Sequence, residues 1–333
     1  MKHLSYLTSF IIAIVVACSC AACKNTKSNT VTEDKSGLKP EGPTFSPDSA
    51  YEYCKKQCDF GPRVMNSTAH EQCGVWIADM FKRFGCKVTE QKTTLKGWDG
   101  KALKCTNIIA SYNPEAEKRI LVCAHWDSRP WADNDPDKAN HHKPVMGAND
   151  GASGVAVMLE LARILNQDKQ LGIGVDFVCF DAEDYGTPYW TTDDEKSWAL
   201  GAQYWAEQAR GKYKADFGIL LDMVGGQGAT FYEEAMSKKY AQDIVDKVWD
   251  AARTAGFGSM FSKTDGGAIT DDHIPVNEKA GIPTIDIIPY YPDCQQSSFG
   301  PTWHTVADDI INIDRNTMQA VGQTLVQTLY NEN

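Results

Sequence analysis

Apolar residues along this chain follow two rhythms. Six runs read as strands: Lys87–Thr93, Thr106–Tyr112, Arg119–Ala124, Gly174–Phe180, Phe217–Val224 and Pro283–Pro289. The later ones are apolar almost without interruption, as parallel strands covered on both faces should be. Other segments repeat apolar residues at helical spacing: Ser46–Cys58, Ser67–Phe84, Gly154–Leu165, Ser197–Ala209, Lys238–Ala255 and Asp314–Tyr330. Ser46 before Pro47 opens the first of these. In the second, Ser67 caps the start, Val75, Ile77, Met80, Phe81 and Phe84 form an apolar face, and Gly85 stops it. Strands alternating with helices predict an α/β fold, a three-layer sandwich with a mixed, mostly parallel central sheet. The earliest strands precede the alternation and are expected to form an antiparallel edge.

The N-terminal region follows neither rhythm. Lys2 and His3 precede an apolar stretch, Leu7–Ala17, that is too short to span a bilayer as an ordinary helix. Small residues follow, with Cys18, Cys20 and Cys23. Residues 1–23 are therefore expected to be a secretory signal. Cys18 and Cys23 each follow alanine, as in the bacterial lipobox, which predicts a lipoprotein-type signal; a plain cleaved signal is the simpler alternative. Residues 24–45 are polar, carry Pro40 and Pro43, and are expected to be a flexible tether. Residues 46–333 are then expected to form a single α/β domain. The expected location is the bacterial cell envelope, on the periplasmic side, held by a lipid anchor that is the chain's only link to a membrane.

Charge and cysteines narrow the picture. The net charge of -11 argues against nucleic-acid binding, which needs a basic stripe. Eight cysteines lie beyond the signal. Cys105, Cys123 and Cys179 fall in strand-like runs and read as buried thiols. Cys54 and Cys58 sit one helical turn apart, with Cys73 near in sequence, so a bridge among them is allowed in an exported chain.

The chemistry concentrates at predicted strand ends. AHWDS places His125 and Asp127 after one strand, FDAEDYG places Glu183 and Asp184 after another, and ILLDMVGG holds Asp222 in a setting too apolar for an idle carboxylate. GANDGASG sets Asp150 in a glycine-flanked turn before a helix. There a carboxylate is stabilised as an anion and stays able to ligate. DDHIP supplies Asp271 and Asp272, and WHT supplies His304. Ligands of open α/β sheets bind where strands end at their carboxyl side, so one converging site is expected. Two imidazoles with several carboxylates suit zinc. Each residue also has a plainer explanation alone: a hydrogen-bonded histidine at a strand end, an ordinary helix cap, an exposed acidic pair. Trp131, Trp190, Phe299 and Trp303 could line an apolar pocket or simply be packed.

Taken together, AHWD, GANDGASG, FDAED, LLDMVGG, DDHIP and WHT resemble the zinc aminopeptidase superfamily. Within it the chain is most similar to bacterial, animal-type glutaminyl cyclases, which convert N-terminal glutamine to pyroglutamate. FGPRVMNSTAH (Phe60–His70) and FGPTWHT (Phe299–Thr305) extend the likeness. The resemblance implies a zinc aminopeptidase-like fold and a zinc held by Asp150, Asp184 and His304. It implies Glu183 as the proton shuttle and Asp271, with Asp222 beside it, in a hydrogen-bond chain. Trp190, Phe299 and Trp303 would pack around the glutaminyl side chain. Asp184 departs from the animal cyclases, which carry glutamate there. One zinc is expected, and a second is allowed for, because dinuclear aminopeptidases of the superfamily use the counterparts of His125, Asp150 and Asp222. The implied activity is glutaminyl-peptide cyclotransferase, acting as a monomer on peptides and proteins with N-terminal glutamine and releasing ammonia. The alternatives are a zinc aminopeptidase that hydrolyses N-terminal residues and, less favoured by the intact ligand set, a metal-free binding ectodomain.

Overall fold

The computed structural model of the protein describes residues 40–333. The predicted signal and most of the predicted tether lie outside them. Among the described residues, no helix is long and apolar enough to cross a membrane.

A six-stranded sheet organises the fold, in the order β1(Lys87–Lys96), β2(Ala102–Tyr112), β4(Gly174–Phe180), β3(Arg119–His125), β5(Phe217–Leu221), β8(Thr284–Ile287). β1 and β2 are antiparallel to each other, and β2 to β4, whereas β3 is parallel to β4 and β5, and β5 to β8. The expected antiparallel edge and parallel centre are both present. Two short strands, β6(Phe231–Glu233) and β7(Phe261–Asp265), form a separate parallel pair that the apolar pattern did not suggest.

The uninterrupted apolar strands have a direct cause. In β3, Ile120, Val122 and Ala124 face one core while Leu121 and Cys123 face another. β4 divides the same way, with Val175, Phe177 and Cys179 on the first side and Val178 and Phe180 on the second. Successive residues point to opposite faces, so a strand covered twice must be apolar throughout. The larger core lies under α1(Pro47–Asp59), α2(Thr68–Arg83), α3(Ala152–Asp168), α5(Ala235–Thr254) and α7(Arg315–Asn331). The smaller lies under α4(Leu200–Ala209) and the turn α6(His273–Pro275) that runs on to Ala280. The result is the expected three-layer sandwich.

α3 is buried on nearly every side and packs on the sheet centre. Its Gly154 lies so close to β5 that a Cβ there would stand 2.4 Å from the Leu221 carbonyl oxygen. This close approach sets the loop before α3, and with it Asp150, directly over the ends of β3 and β5.

Pro40–Phe45 is not a free tether. The Glu41 and Phe45 amides donate to the side chains of Gln327 and Gln323 of α7, and Phe45 is fully buried against Gly322. An aromatic side chain and two backbone anchors outweigh the polar, proline-bearing composition at this end of the stretch.

Candidate functional site

Four loops at the carboxyl ends of the parallel strands bring the acidic and histidine motifs together. His125 ends β3, Asp222 follows β5, and Glu183 and Asp184 follow β4. His304 arrives on the long loop before α7. Asp150, His125, Asp184, His304, Asp271 and Asp222 are all buried. Three residues beside or within the set, Ala182, Met223 and His304, take a left-handed backbone that is unfavourable outside glycine. Gly151 does so too, where a Cβ would meet the Asp127 carbonyl at 2.5 Å and the His125 ring.

The side chains form two donor sets that share Asp150: His125 with Asp150 and Asp222, and Asp150 with Asp184 and His304. Within each set the ligating atoms lie within 4.8 Å of one another. Asp150 Oδ1 is 2.9 Å from His125 Nε2, and its Oδ2 is 3.7 Å from His304 Nε2. One carboxylate therefore offers one oxygen to each set. Asp222 Oδ1 lies 3.3 Å from His125 Nε2, and Asp184 Oδ1 lies 3.2 Å from His304 Nε2.

Electrostatics fit a cation at these positions. Burial by itself would depress both histidines, yet contacts with Asp127, Asp150 and Asp222 hold His125 well above its ordinary value. Asp184 and Asp133 raise His304, against the opposing charge of Arg129. Burial pushes Asp184 up, and Asp150 beside it adds to that. Asp184 Oδ2 is buried with no hydrogen-bond partner. A surplus of buried negative charge with an orphaned carboxylate oxygen is costly unless a positive ion meets it. Imidazole nitrogen and carboxylate oxygen are suitable zinc donors.

Supporting residues hold this arrangement, and most were not legible in sequence. Asp127 accepts from the amides of Glu183 and Asp184, both at 3.1 Å, and its Oδ1 faces His125 Nδ1 at 3.6 Å. Asp127 therefore shapes the β4 loop that carries both carboxylates. Asp308 accepts from the amides of Asn149 and Asp150 and is pushed up to about 7 by burial. Arg129 is fully buried. It pairs with Asp133, donates to the carbonyls of Asp184, Gly186 and Thr187, and lies over the Trp198 ring at 4.5 Å. Asp133 then faces His304 Nδ1 at 3.4 Å. The burial of Arg129 has no local signature, because apart from Asp133 its partners come from the distant segment Asp184–Trp198.

A cavity of about 410 Å³ opens over these residues. Glu183 and Asp271 line it beside Asp150, Asp222 and His304. Burial drives Glu183 well above the ordinary carboxyl range, with Asp184 and Asp271 adding to it and His125 opposing. Burial and then Asp222 push Asp271 up to about 7. Phe299 and Trp303 form an aromatic wall, with ring centroids 4.7 Å apart. Trp190 does not. It is half exposed and packs against Trp131 and the His141 and His142 rings instead. Trp198 lines the cavity in its stead and lies parallel to the His304 ring. The loop after FDAEDYG turns Trp190 outward, and a 3-10 turn at Glu195–Ser197 brings Trp198 back.

All eight cysteines beyond the predicted signal are free thiols, so no bridge joins Cys54, Cys58 and Cys73. Cys54 instead donates to the Ala148 carbonyl in the loop leading to Asp150.

The model of peptidase family M28 matches residues 107–329, two thirds of the chain, and spans every strand-end motif of the site. The chain belongs to this family. It is 51% identical to a solved glutaminyl cyclase of Bacteroides thetaiotaomicron bound to N-acetylhistamine, covering 88% of this chain and 100% of that one, with a TM-score of 0.85. Among curated relatives, it is 30% identical to aminopeptidase YwaD of Bacillus subtilis over 77% of this chain and 51% of that protein. It is 25% identical to the glutaminyl-peptide cyclotransferase of Bos taurus over 66% of this chain and 64% of that protein. The chain thus spans half to just under two thirds of these two curated relatives. The M28 likeness accounts for the zinc aminopeptidase-like fold.

Proposed function

We propose that this protein is a zinc-dependent glutaminyl-peptide cyclotransferase that converts N-terminal glutamine of peptides and proteins to pyroglutamate and releases ammonia. The observation that carries this reading is a raised-pKa glutamate, Glu183, in a cavity walled by Trp198, Phe299 and Trp303 and floored by cation-fitting donors. The likeness to a bacterial glutaminyl cyclase, over 88% of this chain, supports it.

Asp150, Asp184 and His304 would hold the zinc, and His125 with Asp222 could complete a second site. Zinc bound there would supply Lewis-acid chemistry, polarising the side-chain amide and stabilising the charge that develops on it. The aromatic walls hold the glutaminyl side chain folded, so that its own α-amine approaches its γ-carboxamide carbon. Both groups belong to one residue, and holding that rotamer supplies much of the rate. The amine nitrogen forms the new C–N bond while the bond to the amide nitrogen breaks. Glu183 takes a proton from the amine and returns it to the leaving ammonia, a task suited to a carboxyl group with raised pKa. Asp271, with Asp222 beside it, adds to the burial that raises Glu183, so that the carboxyl group keeps the proton it has taken until the leaving nitrogen receives it.

The second reading is a zinc aminopeptidase. It is favoured by the two donor sets sharing Asp150, which would suit a pair of ions, and by the likeness to YwaD. Mass spectrometry of a Gln-peptide series decides between them. A cyclase shortens no peptide and removes one ammonia; an aminopeptidase releases free amino acids.

We further propose that the protein works as a monomer on the periplasmic side of the cell envelope, lipid-anchored at Cys18 or Cys23. The apolar stretch and Ala-Cys junctions support the anchor. Metabolic labelling with a fatty-acid probe, lost on Cys18→Ala or Cys23→Ala, tests it, and light scattering of the soluble domain tests the monomer.

A further inference from the structure

Beyond the residues that handle glutamine, the outer part of the cavity carries two further carboxylates, Asp193 and Glu195, on the loop between β4 and α4. Both are exposed, and neither has an ion-pair partner among the described residues. Among the described residues no lysine or arginine lines the cavity, and the neighbouring Lys196 is exposed without lining it. The loop is anchored rather than loose. The Thr187 hydroxyl donates to Asp193 Oδ1 and accepts from the Asp194 amide, both at 3.0 Å, and the Thr187 amide donates to the Ser197 hydroxyl. Asp193 is thereby held at the mouth with one carboxylate oxygen still available.

We infer that Asp193 and Glu195 select peptides whose residues just after the N-terminal glutamine are cationic, and disfavour acidic ones. The inference rests on the cyclase reading. With glutamine at the inner end, the rest of the peptide must leave past the mouth. An ammonium or guanidinium group there meets unpaired carboxylates, and an acidic side chain meets repulsion. The mouth is open to solvent, so each charge contributes modestly, roughly two- to fivefold in kcat/KM, and the effect declines with salt. Complementary charge also speeds encounter with the substrate.

The test compares kcat/KM for Gln-Lys, Gln-Ala and Gln-Glu peptides of equal length and blocked C-terminus. The expected order is Lys above Ala above Glu, with a Lys-to-Glu ratio of roughly five to twenty at low salt that shrinks at about 0.5 M salt. The double variant Asp193→Asn, Glu195→Gln should bring that ratio close to one, and Glu195→Lys should lower it further. Because the readout is a ratio within each variant, a partial loss of folded protein cancels. Equal rates across the series, or a ratio unchanged in the double variant, would overturn the inference and leave the cyclase reading standing. Absence of cyclisation with every peptide would overturn both.

Discussion

The indole of Trp198 lies parallel to the imidazole of His304, with ring centroids 6.0 Å apart and an interplanar angle of 7°. Trp303 stacks on the same imidazole at 3.8 Å. The donor ring is therefore flanked by two aromatic side chains that also wall the cavity, and Arg129 packs on Trp198 from within the protein. Trp198→Ala should raise KM for Gln-peptides by roughly tenfold or more, the scale of a lost aromatic contact worth over 1.4 kcal/mol. Trp190→Ala should change KM less than about twofold, since Trp190 stands outside the cavity. Steady-state kinetics on the two variants, with circular dichroism to confirm folding, separates them. The reverse ranking would return Trp190 to the site.

Glu183→Gln preserves size but cannot carry a proton. Turnover is expected to fall by roughly two to four orders of magnitude while zinc content stays the same. Loss of zinc in parallel with activity would make Glu183 a ligand and reassign its neighbour Asp184.

Asp150 offers one oxygen to each donor set, so it should matter more to metal than any residue confined to one set. Chelation is expected to abolish activity and zinc to restore it. Asp150→Asn should weaken zinc binding by roughly tenfold or more in competition titrations, because it removes a charged ligand. Zinc affinity equal to that of the unaltered protein would refute the shared role.

Asp127 holds the Glu183 and Asp184 amides through its two oxygens. Asp127→Asn retains one acceptor and loses the other. The β4 loop should loosen, lowering kcat by roughly 10- to 100-fold with a smaller change in KM. Hydrogen exchange at the Glu183 and Asp184 amides should speed up in the variant; unchanged exchange would argue against this positioning role.

Phe45 is fully buried on α7, beyond the expected start of the domain. Phe45→Ala should cost about 3 kcal/mol or more of stability, within the usual range for a buried phenylalanine. Urea unfolding of the 40–333 segment measures it, and a midpoint unchanged from the parent would show that Pro40–Phe45 contributes nothing to the fold.

Much of this protein was written locally. β4 runs Gly174–Phe180 as the apolar pattern predicts, because a strand covered on two faces must be apolar along its length. His125, Glu183, Asp184 and Asp222 could be placed at strand ends for the same reason: each ends or follows the apolar run that delivers it. The short pair β6 and β7 escaped notice because β7, Phe261–Asp265, is largely exposed and has little apolar pattern. Only the tertiary structure decided which aromatic residues reach the cavity. Trp190 and Trp198 are eight positions apart in one loop, and the path of that loop is set by Thr187, Ser197 and Arg129. The roles of Arg129, Asp133 and Asp308 were equally hidden: Arg129 and Asp133 pair locally, but the groups they position, at Asp184, Gly186, Thr187 and His304, come from distant segments, as do the amides that Asp308 holds. Hydrophobic rhythm records which face a residue turns to the core. It holds no record of which loops meet above a sheet, and that meeting creates the shared carboxylate at Asp150.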